Sequence, residues 1–114
     1  MAEIAEMLQR HCARNRELLN LIAEKGADPS VPCFIDLHFW AANESAAREL
    51  AAALEERGYS PVSTNRSVDE PSLWNVETTI EANPLSVASH SFVETLVRLA
   101  SQHDGEFDGW GTSI

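Results

Sequence analysis

The side chains of this sequence best equipped for chemistry are carboxylates. Asp104, Glu106 and Asp108 alternate with Gly105, Phe107 and Gly109 in a C-terminal segment that also holds Trp110, Gly111 and Thr112. On a strand this spacing would turn the three acids to one side and Phe107 to the other. Acids with a shared outward direction suit the forked N–H donors of arginine. Asp69 and Glu70 form a second acidic pair in a turn-like stretch, and Glu77 is a further candidate on an alternating pattern. These six are the candidate partner-contact residues. The competing explanation for each group is a solvated face that only keeps the chain in solution.

Catalysis and metal binding have less to work with. His38 alternates with Phe34, Asp36 and Trp40. As a general acid or base it would need a partner and a substrate pocket beside it. Phosphoryl or acyl-phosphate chemistry would need a cation to hold developing negative charge. The glycine-rich tail has none, and Arg66 and Arg98 are the only basic side chains after residue 60. His11 with Cys12, and His90 with His103, lack the i, i+4 or CxxC spacing that shares a metal. Cys12 and Cys33 read as small buried hydrophobes. The sequence therefore predicts no catalytic residue, no metal and no cofactor.

The elements that would carry these residues are legible from periodicity. Ile4, Leu8, Cys12, Asn15, Leu18, Leu19 and Ile22 recur at helical spacing over residues 3–25, with Gly26 as C-terminal cap and Pro29 beyond it. That phase leaves His11, Arg14, Arg16 and Lys25 on the solvated face or its border. Residues 31–41 switch to period two: Cys33, Ile35, Leu37 and Phe39 alternate with Phe34, Asp36, His38 and Trp40. Asn43 then offers an N-cap to a helix with an Ala47, Leu50, Ala51 and Leu54 stripe, ended by Gly58. Tyr59 to Arg66, with Pro61, suits an edge strand, because Pro cannot donate to a ladder. After a turn over Ser67 to Pro71, Leu73 to Glu81 alternates again, with Trp74, Val76, Thr78 and Ile80 opposite Asn75, Glu77 and Thr79. A third helix is predicted after Asn83-Pro84, with Leu85, Ala88, Phe92, Leu96 and Leu99 as its apolar stripe.

The predicted fold is α+β: a ferredoxin-like β-α-β-β-α-β antiparallel sheet with an additional N-terminal helix. The first and third strands are the most apolar and should be central, with the other two at the edges. Right-handed crossovers put both internal helices on one face of the sheet. The opposite face would show Phe34, Asp36, His38, Trp40, Asn75, Glu77 and Thr79. The tail is expected to be a short strand broken by a turn or bulge. Trp110 should be wedged between the sheet edge and a helix end, with Gly109 and Gly111 giving it room. The chain is expected to be one domain over residues 1–114, with the helix at 1–26 and the sheet unit at 31–114.

Charge narrows the partners. The 114 residues include 18 acidic and 8 basic side chains, for a net charge of −10. Such a chain repels nucleic acid and anionic membranes, and its complementary partners are basic. Aromatic rings on the central strands invite comparison with RNA-binding sheets, but Asp36 and Glu77 would share that surface and repel phosphates. No run approaches the length of an apolar membrane span, and the first segment, with Glu3 and Glu6, is unlike a signal peptide. A cytoplasmic location is expected.

The tail Phe107-Asp108-Gly109-Trp110-Gly111-Thr112 and the strand Ile35-Asp36-Leu37-His38-Phe39-Trp40 resemble the ribonuclease E activity regulator B (RraB) family. Leu21 to Gly26 running into Asp28-Pro29, and Gly58-Tyr59, match in the same order. The resemblance covers nearly the whole chain. It implies a ferredoxin-like fold with an N-terminal helix, and marks Phe107, Gly109, Trp110, Gly111, Thr112, Asp36 and His38 as motif residues. It also implies a non-enzymatic protein that binds the basic C-terminal scaffold region of ribonuclease E and restrains its activity. Two features depart from the family: four basic residues within the first 25, and only Asp69 and Glu70 as acids in the turn before the third strand.

The resulting reading is an acidic regulator that acts by contact with a basic protein, with no direct nucleic-acid or membrane contact. Two alternatives stand beside it. One is a small-ligand or enzymatic site on the open sheet face around His38 and Trp40. The other is an immunity-type interaction domain for another basic protein.

Overall fold

Four side chains of β1 (Cys33–Ala41), Ile35, Leu37, Phe39 and Ala41, are buried on one face and anchor the core. The computed structural model describes residues 2–112; Met1, Ser113 and Ile114 lie outside the described residues. The remaining elements are α1 (Ala2–Glu24), α2 (Glu44–Glu56), β2 (Val62–Arg66), β3 (Trp74–Ala82), α3 (Pro84–Val87), α4 (His90–Ser101) and β4 (Gly105–Thr112). The strands form an antiparallel sheet in the order β2-β3-β1-β4, so the two most apolar strands are central. The α+β class, the strand order and the leading helix agree with the sequence expectation.

Alternation on β1 and β3 decides which face is dry. Val76 and Thr78 are buried on β3, Glu77 between them is half-buried, and Asn75, Thr79 and Glu81 on either side are exposed. Helix α2 begins where Asn43 Oδ1 accepts the Ala46 N–H at 2.8 Å, and buries Ala46, Ala47, Leu50, Ala51 and Leu54. Small alanines let that helix lie close to the strands. Among the described residues, no helix is long and apolar enough to cross a membrane.

Four sequence expectations shift. The predicted third helix is two helices, because Ser89 restarts the chain: its Oγ accepts the Phe92 N–H at 3.4 Å and donates to Ser86 O at 2.7 Å. The restart rotates the apolar stripe. Leu85 is 48% exposed and Phe92 half-buried, while Val93, Leu96, Val97, Leu99 and Ala100 pack inward. Helix α1 keeps the expected phase at Leu8, Asn15 and Ile22 and departs from it at His11. Leu8, His11, Asn15 and Ile22 are buried, so His11 belongs to the core side and not to the solvated face. Cys12 and Cys33 are free and only half-buried, not fully buried as predicted.

The fourth shift is in the tail. The β1–β4 register slips between His38 and Phe39: Phe39 faces Phe107, but His38 faces Gly109. Asp108 is the extra residue of a β-bulge, and Gly109 takes φ +129 beside it. On an unbroken strand Phe107 and Trp110, three apart, would face opposite ways. The bulge brings both to the core, 1% and 2% exposed. It also divides the acids. Glu106 sits opposite Trp40, Asp108 lies in the bulge, and Asp104 is in the preceding turn with φ +50. The common outward direction expected for the three acids is lost.

Candidate functional site

Helix α1 holds β4 through side chains on successive turns. His11 Nε2 donates to Phe107 O at 3.0 Å, and its ring stacks on the Phe107 ring with centroids 5.0 Å apart. Arg14 Nη1 donates to Asp108 O at 2.8 Å. Trp110 Nε1 donates to Asn15 Oδ1 at 2.8 Å. β4 is an edge strand, and edge carbonyls without partners are a template for unwanted pairing. Here α1 satisfies two of them, at Phe107 and Asp108. Asn15 is 3% exposed, and its Nδ2 has no partner among the described residues.

Burial pushes the His11 imidazole below its ordinary value. The bond to the Phe107 carbonyl opposes that shift, Arg14 and Arg10 push it further down, and Asp108 pulls it up. A neutral ring with its proton on Nε2 fits the single carbonyl partner.

The other face of the sheet carries no helix on its central strands: Phe34 is 69% exposed, and Asp36, Asn75, Thr79 and Glu81 are exposed. Two cross-strand bonds organise it. Thr79 Oγ1 donates to Asp36 Oδ1 at 2.6 Å, and His38 Nδ1 meets Glu77 Oε2 at 2.6 Å. The His38 and Glu77 side chains are 41% and 46% exposed, so solvent screens the pair and it is worth about 1 kcal/mol or less. A depression of about 400 Å³ includes Asp36, His38, Ser63, Glu77 and Thr79 in its lining. The lining contains no Lys or Arg, so nothing there would balance an anionic intermediate. Among the described residues, no group of three His, Cys, Asp or Glu side chains could hold a metal ion.

The sequence-selected acids fall in separate places. Glu77 is on the open face, held by His38. Asp69 and Glu70 are exposed in the β2–β3 turn, where Ser67 Oγ accepts the Glu70 N–H at 3.2 Å and Ser72 donates to Glu70 Oε1 at 3.1 Å. The two central strands separate that turn from β4, although both lie at the end of the sheet where Ala41 pairs with Trp74 and Gly105. Glu106 and Asp108 are together, and with Arg10, His11 and Arg14 they line a cleft of about 180 Å³ between α1 and β4. Of the motif residues, Gly111 faces Asp36, and Thr112 ties the strand end by donating to Phe34 O at 2.8 Å. Sequence reasoning missed His11 and Arg14. A polar Asn15 in an apolar stripe was the available sign that this helix needed a polar partner.

Residues 13–112 match the family described as Regulator of ribonuclease activity B. The chain is also similar to a protein of that name from Psychromonas ingrahamii, 25% identical over 111 residues that make up 96% of this chain and 92% of the relative. The match spans the second half of α1 and every strand, including the Asn15–Trp110 contact and the bulge. The chain belongs to the RraB family of regulators of ribonuclease activity.

Proposed function

We propose that this protein restrains a ribonuclease by binding it, with no catalysis of its own, and that the whole chain acts as one cytoplasmic domain. The contact would be with a basic segment, for which the resemblance names the C-terminal scaffold region of ribonuclease E. One observation carries the reading. Among the described residues, Asp69, Glu70, Asp104, Glu106 and Asp108 have no salt-bridge partner, on a chain of net charge −10. Asp69 and Glu70 are exposed to an external cation, and Glu106 and Asp108 share their cleft with Arg10 and Arg14 without a salt bridge to either. With Glu77 they are the proposed contact residues. Phe107, Gly109, Trp110 and Thr112 keep the β4 edge in place, Gly111 lies beside Asp36, and Asp36 and His38 order the open face.

A catalytic role at His38 has its acid–base pair but no cation in the adjoining depression, so binding is the better-supported function. The test is RNA cleavage by the host's ribonuclease E, intact and with the scaffold region deleted, as this protein is added. Cleavage should slow only for the intact enzyme. Equal slowing of both would place the contact elsewhere on the nuclease. No effect on either, with no complex formed, would remove the regulator reading.

A further inference from the structure

We propose that the uncovered sheet face is a docking surface for an extended, arginine-bearing protein segment, laid along β1 with a guanidinium beside Phe34, between Asp36 and Glu81. The inference deepens the reading above and rests on it for the basic nature of the partner. It adds to the acids named there a surface around Phe34 and the side-chain chemistry that this surface would take.

Phe34 is 69% exposed on a central strand of the uncovered sheet face, where its ring contributes nothing to the core. Its direct cross-strand neighbour is Glu81, while Asp36 faces Thr79, so Asp36 and Glu81 are diagonal neighbours about 7–8 Å apart. Pro32, Phe34, Asp36, Glu81 and Thr112 share a depression of about 500 Å³. Thr79 engages Oδ1 of Asp36, and the other oxygen has no partner among the described residues. An aromatic face between two carboxylates matches a planar guanidinium, which stacks on rings and forks to carboxylates, better than a compact ammonium.

Gly111 supplies an independent observation. It pairs with Asp36, its φ is not in the left-handed range, and an added Cβ would meet nothing within 4 Å. Neither backbone conformation nor packing requires glycine there. Its effect is to leave bare backbone beside Asp36; the bulge of this strand lies at Asp108, outside the Gly111 pair, and a strand glycine away from a bulge leaves room for another backbone to approach closely. On β1 itself, Phe34, Asp36, His38 and Trp40 recur every second residue, the period of an extended segment lying above them.

Charge selects the class of partner. The face presents Asp36, Glu77, Glu81 and Glu106. Among the described residues its strands offer no Lys or Arg: Arg66 pairs with Trp74, which shares the buried parity of Val76, and Arg14 from α1 reaches only the margin at Gly109. A nucleic-acid strand would bring phosphates against these acids with no counterion to release.

The experiment follows backbone amide shifts of the isotope-labelled full chain at low salt. The probes are a short peptide of alternating arginine and serine, its lysine counterpart, and a single-stranded RNA oligonucleotide. The arginine peptide should perturb Phe34, Asp36, Glu81 and Gly111 most, and bind more tightly than the lysine peptide. Gly111→Arg, which places a competing guanidinium in the lane, should weaken binding by about tenfold or more while melting like wild type. Phe34→Ala should remove the preference for arginine over lysine. Shifts centred on Asp108, Asp104 and Asp69 instead would overturn the sheet-face site and leave the basic-partner reading standing. No binding of either peptide would overturn both. Equal binding of the two peptides would overturn the arginine assignment, and RNA binding on this face in preference to peptide would overturn the partner class.

Discussion

The indole N–H of Trp110 donates to Asn15 Oδ1 at 2.8 Å, linking two buried side chains that stand 95 positions apart in the sequence. The bond fixes α1 against β4, and the bulge at Asp108 exists in the same short segment. Without the bulge, Trp110 would face away from the helix that holds it.

Trp110→Ala should destabilise the fold by about 3–5 kcal/mol through the lost packing. Trp110→Phe and Asn15→Leu each strand one buried polar partner, at about 1–3 kcal/mol apiece. The double variant removes both polar groups and should cost less than the sum of the singles. Urea unfolding of the four proteins checks this. Additive losses would mean that the two side chains do not act as a pair.

His11 should make stability fall in mild acid. Its folded value is lowered, chiefly by burial, so the unfolded chain binds the proton more readily. The contribution of the neutral ring is complete above the unfolded value near 6.5 and is lost as pH falls through the folded value. His11→Gln keeps an amide donor for the Phe107 carbonyl without a titrating group. Melting at neutral and mildly acidic pH should show a larger drop for wild type than for the variant. Equal drops would show that His11 does not titrate below its ordinary range.

Two glycines of the tail should differ in their response to alanine. Gly109 has φ +129, and an added Cβ would stand 2.9 Å from Arg14 Nη1. Gly109→Ala should cost about 1–3 kcal/mol in backbone strain and disturb the Arg14 bond to Asp108 O. Gly111→Ala meets open space and should stay within about 0.5 kcal/mol of wild type. Thermal melts of the pair separate the two roles; equal effects would contradict the bulge geometry.

How far the sequence could be read depended on the range of the forces involved. The alternation of Ile35, Leu37 and Phe39 with Asp36 and His38 is a local pattern, and both faces of β1 were legible from it. The break at Ser89 was harder to see, because a serine inside an apolar stripe can as well point to solvent. His11 and Cys12 compete for the same flank of α1, and apolarity favoured the cysteine. The stacking of His11 on Phe107 decides the matter, and it depends on where β4 lies. The glycines signalled a bulge or turn, but only the pairing with β1 places the extra residue at Asp108. That placement ends the common outward direction of Asp104, Glu106 and Asp108 that a strict alternation had implied.

The central claim, binding of a basic segment guided by exposed acids, is tested most directly by association kinetics on an immobilised ribonuclease E scaffold region at low and physiological salt. Exposed charges act over about 8 Å at physiological ionic strength and govern mainly the association rate. Wild type should associate more slowly as salt rises, with dissociation little changed. The double variant Glu106→Gln with Asp108→Asn should associate more slowly still at low salt, with an unchanged melting temperature. A salt-independent association rate, a variant as fast as wild type, or no binding at low salt would contradict the account.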